Sequence, residues 1–127
     1  MARYEAARQL LDAAGRDLKA LANMLDPEVF DDTIFGLHAQ QAVEKALKAW
    51  VNLLGEVHPF THNLRLLLDT LQRLGADVEA YWDFVDLSDY AMQLRYEAPS
   101  MVDEPLDREW LVREVGALLA RVQALLE

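Results

Sequence analysis

Apolar residues recur along this chain at alternating steps of three and four, the spacing that gathers them onto one stripe of an α-helix. Between Arg3 and Leu25 the stripe reads Tyr4, Ala7, Leu11, Ala14, Leu18, Leu21 and Leu25. Asp26-Pro27 closes it, because proline crowds the preceding residue out of helical dihedrals. A second helix is predicted from Asp32 or Thr33, either of which can cap free amides, to Leu54, with Gly55 placed to end it. After a loop containing His58-Pro59, Thr61 is the expected cap of a third helix through Leu74, stopped by Gly75. Asp77 is expected to cap a fourth that reaches about Tyr96. Pro99 and Pro105 bracket a loop, and a last helix from Leu106 or Asp107 carries Leu111, Val115, Leu118, Val122 and Leu125 on one stripe. No strand alternation, internal repeat or dividing linker interrupts the series. The pattern predicts an all-α fold, an up-and-down helical bundle of about five helices in a single domain over residues 1–127.

The second helix differs from its neighbours. Projected at ~100° per residue, Phe35, Ala39, Ala42, Ala46, Ala49, Trp50 and Leu53 share a face, and Val43, Leu47, Val51 and Leu54 widen it to roughly 220°. A helix apolar over so wide an arc must be covered on both flanks. It is either the central helix of the bundle or one shared between the core and a second copy; a homodimer is the expectation. The remaining arc is polar: His38, Gln41, Lys45, Lys48 and Asn52 lie within roughly 80° of one another. Ammonium groups, a carboxamide and an imidazole can all contact a nucleotide. The plain alternative is a solvated side on which Lys48 pairs with Glu44 at i,i+4.

Composition narrows the chemistry. The chain has 127 residues, the size of one domain with one core. There is no cysteine, so disulfides, thiolate metal sites and cysteine nucleophiles are excluded. No apolar run approaches the ~20 residues that span a bilayer and no N-terminal stretch reads as a signal peptide, so no membrane association and a cytoplasmic location are expected. Twelve Lys and Arg against twenty-two Asp and Glu leave a net charge of −10, which repels a phosphate backbone over most of the surface while permitting a local basic pocket. No inward Glu-x-x-His pair, glycine-rich phosphate loop or nucleophile elbow is present. His58 and His62 have i,i+4 spacing, but Pro59 interrupts a helix there and two histidines fall short of a zinc ligand set. No metal and no cofactor are implied.

The run Phe35-Gly36-Leu37-His38-Ala39-Gln40-Gln41-Ala42-Val43-Glu44-Lys45-Ala46-Leu47-Lys48-Ala49-Trp50, followed by Thr61-His62-Asn63-Leu64, resembles the signature of the HEPN family. Those domains are small helical bundles, many of which work beside a minimal nucleotidyltransferase or cut RNA. A second element, Arg95-Tyr96-Glu97-Ala98-Pro99, is similar to an Arg-Tyr dipeptide followed by proline in these domains, with slightly different spacing. The resemblance implies a module that binds a nucleotide or RNA end through Lys45, Lys48, His62, Arg95 and Tyr96. It also implies a homodimer paired with a minimal nucleotidyltransferase, as in toxin–antitoxin systems.

Catalysis is where the chain departs. HEPN ribonucleases resemble one another in an arginine followed, after four to six residues, by histidine. None of His38, His58 and His62 has an arginine at that distance, and Arg95 has no histidine after it. The extended form of the motif, whose tyrosine is adenylylated by the partner transferase, is absent too. The expectation therefore leans away from an enzyme. A ribonuclease with a rearranged site, for which His62 and Arg95 are the candidate catalytic residues, is the alternative, and a purely structural dimerisation domain is the third reading. His62, expected in the first turn of the third helix, would sit where amides and the helix dipole favour an anion.

Overall fold

A computed structural model describes residues 2–90 and 105–127; Arg95, Tyr96 and Pro99 lie outside the described residues. Every regular element among them is helical: α1 Ala2–Ala22, α2 Asp32–Leu53, α3 Leu64–Arg73, a 3₁₀ helix Glu79–Leu87 that passes into α-helix over residues 88–90, and α4 Arg108–Leu126. The all-α bundle is as predicted. No described helix is long and apolar enough to cross a membrane.

Helix α2 is the hub, packing against α1, α3, the 3₁₀ helix and α4. Phe35, Ala39, Ala42, Val43, Ala46, Leu47, Ala49, Trp50 and Val51 are all buried within this one chain. The two-sided apolar arc is therefore explained by a central position, and covering it requires no second copy. Only its last member, Leu54, is exposed. Gly36 lets the buried Tyr90 ring lie directly on the α2 backbone, so that a Cβ built there would stand inside the ring.

Both predicted glycine stops are realised by the same device. Gly55 and Gly75 take positive φ of 93° and 91°. After α2, Gly55 N donates to Asn52 O at 3.0 Å and Glu56 N to Val51 O at 3.3 Å; after α3, Gly75 N and Ala76 N donate to Gln72 O and Leu71 O, both at 3.0 Å. These paired bonds satisfy carbonyls that a helix end leaves free.

Other boundaries differ. Helix α1 stops at Ala22 rather than Leu25, because Asn23 Nδ2 donates to Lys19 O at 2.8 Å while the main chain turns ahead of Pro27. Met24 fills the core position that Leu25, now exposed, was expected to hold. The residue before α2 is Asp31, with no side-chain cap, and Asp32 turns its carboxylate instead to Arg108. The cap of α3 is Asn63, whose Oδ1 accepts from Arg65 N and Leu66 N, not Thr61. Helix α4 begins at Arg108, next to the expected start at Leu106 or Asp107, and is capped by Asp107, whose Oδ1 accepts from Trp110 N at 3.1 Å.

The predicted fourth helix opens as a 3₁₀ helix over Glu79–Leu87 and is α-helical over residues 88–90, the last described before residue 105; the rest of its expected span lies outside the described residues. The buried residues of the 3₁₀ stretch match its geometry: Tyr81, Phe84 and Leu87 recur every third position, the period of a 3₁₀ helix with three residues per turn. A helix with 3.6 residues per turn would wind these side chains away from α2. Tyr81 meets Trp50 edge-on, ring centroids 6.0 Å apart, and stacks on Phe84 at 6.3 Å. Across the bundle Arg108, buried in α4, donates to Met24 O at 2.7 Å, Phe30 O at 2.6 Å and Asp32 Oδ1 at 2.8 Å, tying the α1–α2 connection to the last helix.

Candidate functional site

The polar arc of α2 is a half-buried seam of charge rather than a solvated surface. Along it stand two groups of the same composition, each a carboxylate, a lysine and a histidine. In the first, Asp17 of α1 accepts from Lys45 Nζ at 2.7 Å through Oδ2 and faces His38 Nδ1 at 3.2 Å through Oδ1. In the second, Glu44 accepts from Lys48 Nζ at 2.9 Å through Oε2 and faces His62 Nδ1 at 3.0 Å through Oε1. A carboxylate can only accept, so each imidazole presents an Nδ1 proton to it, and in the neutral tautomer this leaves Nε2 as an acceptor.

Burial differs within each group. The Glu44 side chain is 6% exposed and Lys48 12%, whereas His62 is 58% exposed. The carboxylates thus sit at the bottom of the seam and the imidazoles at its rim. Glu44 is further held by Gln40, itself fully buried, whose Nε2 donates to Glu44 Oε1 at 2.7 Å and to the His62 carbonyl at 3.1 Å. Gln41 Nε2 in turn donates to Gln40 Oε1 at 2.7 Å.

His58 completes the face. Its main-chain N–H donates to Asn52 Oδ1 at 3.3 Å, and its Nδ1 lies 3.2 Å from the same oxygen. Burial, and then the Lys48 ammonium, hold the His58 imidazole below its ordinary pKa of 6.5, with Glu44 opposing them. For Glu44 burial acts to raise the pKa, but the hydrogen bonds from Lys48, Gln40 and His62 together with the Lys48 charge outweigh it and leave the carboxyl below its ordinary 4.5. All three histidines of the chain thereby line one face.

Of the residues expected from the sequence, the structure brings Lys45, Lys48 and His62 onto this face. His62 precedes the Asn63 cap and so is not in the first turn of α3; a carboxylate, not the helix dipole, orients it. The i,i+4 pair of Lys48 with Glu44 forms, but deep in the seam rather than on a solvated side. Asp17 and Gln40 were not anticipated. Asp17 lies three residues after Ala14 and four before Leu21, an acidic residue at the edge of an apolar stripe, and Gln40 stands four before Glu44 on the apolar flank of α2. Those positions were the available signal.

The arrangement can orient imidazoles and present spare ammonium donors, since a lysine held by one carboxylate still has two N–H groups to offer. One other concavity suits an anion poorly: a cleft of about 270 Å³ beside Trp110 is lined by Asp83, Asp86 and Asp107. No group of three or more His, Asp or Glu converges to hold a metal ion among the described residues.

Compared with known proteins, the chain matches the family model described as HEPN domain over residues 7–126. No curated protein and no solved structure matches it.

Proposed function

Because the chain belongs to the HEPN domain family, which its match over residues 7–126 shows, we propose that it is a binding module whose α2 face takes a nucleotide or an RNA end. The observation that carries this reading is the paired Asp17–Lys45–His38 and Glu44–Lys48–His62 groups on one helix face. Each group is close to neutral while its histidine is neutral, so the face neither repels a phosphate nor attracts long nucleic acid against the net charge of −10. A short ligand bearing one or a few phosphates fits that balance. Lys45, Lys48 and His62 supply donors to the phosphate, with Arg95 and Tyr96 as further contacts in the family-like element. The module acts as a single HEPN-like unit and as a homodimer. The exposed Leu25, Val29 and Ile34 around the α1–α2 connection offer an apolar surface for the second copy. A minimal nucleotidyltransferase is its partner, on the strength of the family resemblance.

Calorimetric titration with AMP, ATP and a short single-stranded RNA tests the reading. Binding that weakens at least tenfold in Lys48→Met and His62→Ala, with helical circular dichroism retained, is expected. Heats indistinguishable from dilution for every ligand would overturn it. Light scattering at micromolar concentration tests the dimer, and co-purification with a minimal nucleotidyltransferase tests that pairing.

One observation favours ribonuclease activity as the second reading. Glu44 holds His62 through Nδ1 while the side chain as a whole is exposed, an arrangement suited to a general base that could take a proton from a ribose hydroxyl. RNA cleavage by the parent that is lost in His62→Ala would establish it; intact substrate throughout would leave the binding module.

A further inference from the structure

Phe60 is 99% exposed, the most exposed large apolar side chain among the described residues. An unburied phenylalanine ring forgoes the favourable transfer of its surface from water and leaves that surface open to a ligand. Here the ring is held out by construction. On one side of it the His58 N–H is bonded to Asn52 Oδ1 at 3.3 Å; on the other the His62 carbonyl accepts from Gln40 Nε2 at 3.1 Å. Both anchors are α2 side chains, so Pro59-Phe60-Thr61 is a three-residue tip pinned at its two ends. Proline fixes one of the three φ angles, and Thr61 Oγ1 accepts from Asn63 N at 3.0 Å, which sets the exit into α3. The tip is short, doubly tethered and outward.

What flanks the ring identifies its partner. His58 and His62 lie two residues to either side, the His58 ring meeting Phe60 edge-on at 6.4 Å between centroids. Lys48 stands behind them, bonded to the same Glu44 that orients His62. An exposed aromatic face next to imidazole and ammonium donors is the combination by which proteins take an unpaired base with its phosphate: the ring stacks on the base, which every base permits, and the donors hold the phosphate. A protein partner would instead require a broad apolar face with few charges at its centre; Val57 and Leu54 are also exposed on this connection, but the side chains shown around the ring are imidazoles and a lysine–glutamate pair.

We propose that Phe60 is a stacking platform for an unpaired nucleobase, which gives the α2 face a requirement for a base as well as a phosphate. The proposal rests on the nucleotide-binding reading above and adds the base. Both a free nucleotide and the end of a single-stranded RNA carry this chemistry.

The test titrates the intact protein with AMP, adenosine, ribose 5-phosphate and a six-nucleotide oligo(A), in the parent and in Phe60→Ala, Phe60→Leu, Phe60→Trp and Lys48→Met. Because Phe60 is almost fully exposed, its variants should keep the parent's melting temperature. Loss of one base–aromatic stack corresponds to roughly a 5- to 150-fold rise in Kd. That rise is expected for AMP and oligo(A) in Phe60→Ala and Phe60→Leu, with Phe60→Trp binding at least as well as the parent. Ribose 5-phosphate should bind weakly and equally in the parent and every Phe60 variant. A parent that prefers AMP to oligo(A) marks a free nucleotide as the natural ligand, and the reverse marks an RNA end.

If AMP binding falls in Lys48→Met but is unchanged in Phe60→Ala, the stacking proposal fails while the phosphate-binding reading stands. If Phe60→Leu binds AMP like the parent, the contact is merely apolar and stacking is refuted. Self-association that disappears in Phe60→Ala, with no nucleotide bound, would assign the ring to contact between copies of this chain and overturn the proposal. Absence of binding by any of the four ligands to the parent would overturn both readings.

Discussion

Replacing Glu44 with glutamine keeps the shape of the side chain and removes its charge. In the parent, Glu44 Oε2 meets Lys48 Nζ at 2.9 Å, and the two side chains are 6% and 12% exposed. The glutamine oxygen can still accept from Gln40 or His62, but its amide would then face the ammonium, donor against donor. Removing one member of a fully buried ion pair costs about 3–5 kcal/mol, chiefly because the surviving charge is left without compensation. Lys48 retains some access to water, which places the expected loss at about 2–3 kcal/mol. With an unfolding entropy of ~2.1 cal/mol/K per residue, a chain of 127 residues loses roughly 4 °C of Tm for each kcal/mol, so the variant should melt about 7–11 °C lower.

Thermal and urea unfolding at pH 7.5 measure this loss. The cycle is completed with Lys48→Met and with the double variant. The double variant removes the orphaned ammonium and should recover at least about 1 kcal/mol relative to the sum of the single losses. Repeating the cycle in 1 M NaCl, where the Debye length is about 3 Å, should leave most of the coupling in place, because the pair lies below the surface. A Glu44→Gln variant within about 0.5 kcal/mol of the parent, the range of ordinary surface substitutions, would refute the reasoning. A coupling that vanishes in high salt would refute it equally.

Three other outcomes are expected. Gly36→Ala should destabilise the fold by up to about 2 kcal/mol in urea titration, since overpacking against the Tyr90 ring, at about 1–3 kcal/mol, offsets the ~1 kcal/mol that alanine contributes in a helix; a more stable Gly36→Ala would contradict the close approach. Arg108→Lys should lose about 2–4 kcal/mol, because one ammonium cannot reach Met24 O, Phe30 O and Asp32 as the guanidinium fork does, and stability equal to the parent would show the fork to be dispensable. Stability should fall in two stages on acidification. The His58 pKa is depressed in the fold, so the unfolded chain binds the extra proton as pH drops through 6.5, and the depressed Glu44 pKa has the same effect below 4.5. His58→Gln should flatten the first stage of a pH series of urea midpoints and Glu44→Gln the second; an unchanged profile in both variants would show that neither group drives it.

How much of this was legible beforehand varies from element to element. The apolar stripes of α1 and α4, the wide arc of α2 and the glycine stops at Gly55 and Gly75 could be read directly, because helical periodicity and positive φ are local properties of the chain. The fourth helix was expected from the Asp77 cap alone, and the three-residue spacing of Tyr81, Phe84 and Leu87, which marks its 3₁₀ opening, was equally visible in the sequence. Arg95 and Tyr96 lie outside the described residues, so their contribution rests on the family-like element alone.

The candidate site was readable only as a list of residue types. That Lys45, Lys48, His38 and Asn52 share a stripe follows from the helical repeat, and the Glu44–Lys48 pair follows from i,i+4 spacing. That Asp17 answers Lys45 and His38 across 28 and 21 residues, that His62 returns to Glu44 across 18, and that Gln40 joins Glu44 to the His62 carbonyl depend on how α1 and the α2–α3 loop lie against α2. By itself, then, the sequence determined the helices, most of their ends and the family. The tertiary structure alone decided that the two-sided α2 is covered within one chain, that its polar arc is a buried seam of paired charges, and that Phe60 stands out from it. Local dihedral preference and periodicity act over a few residues, whereas burial and pairing are settled only when distant segments come into contact.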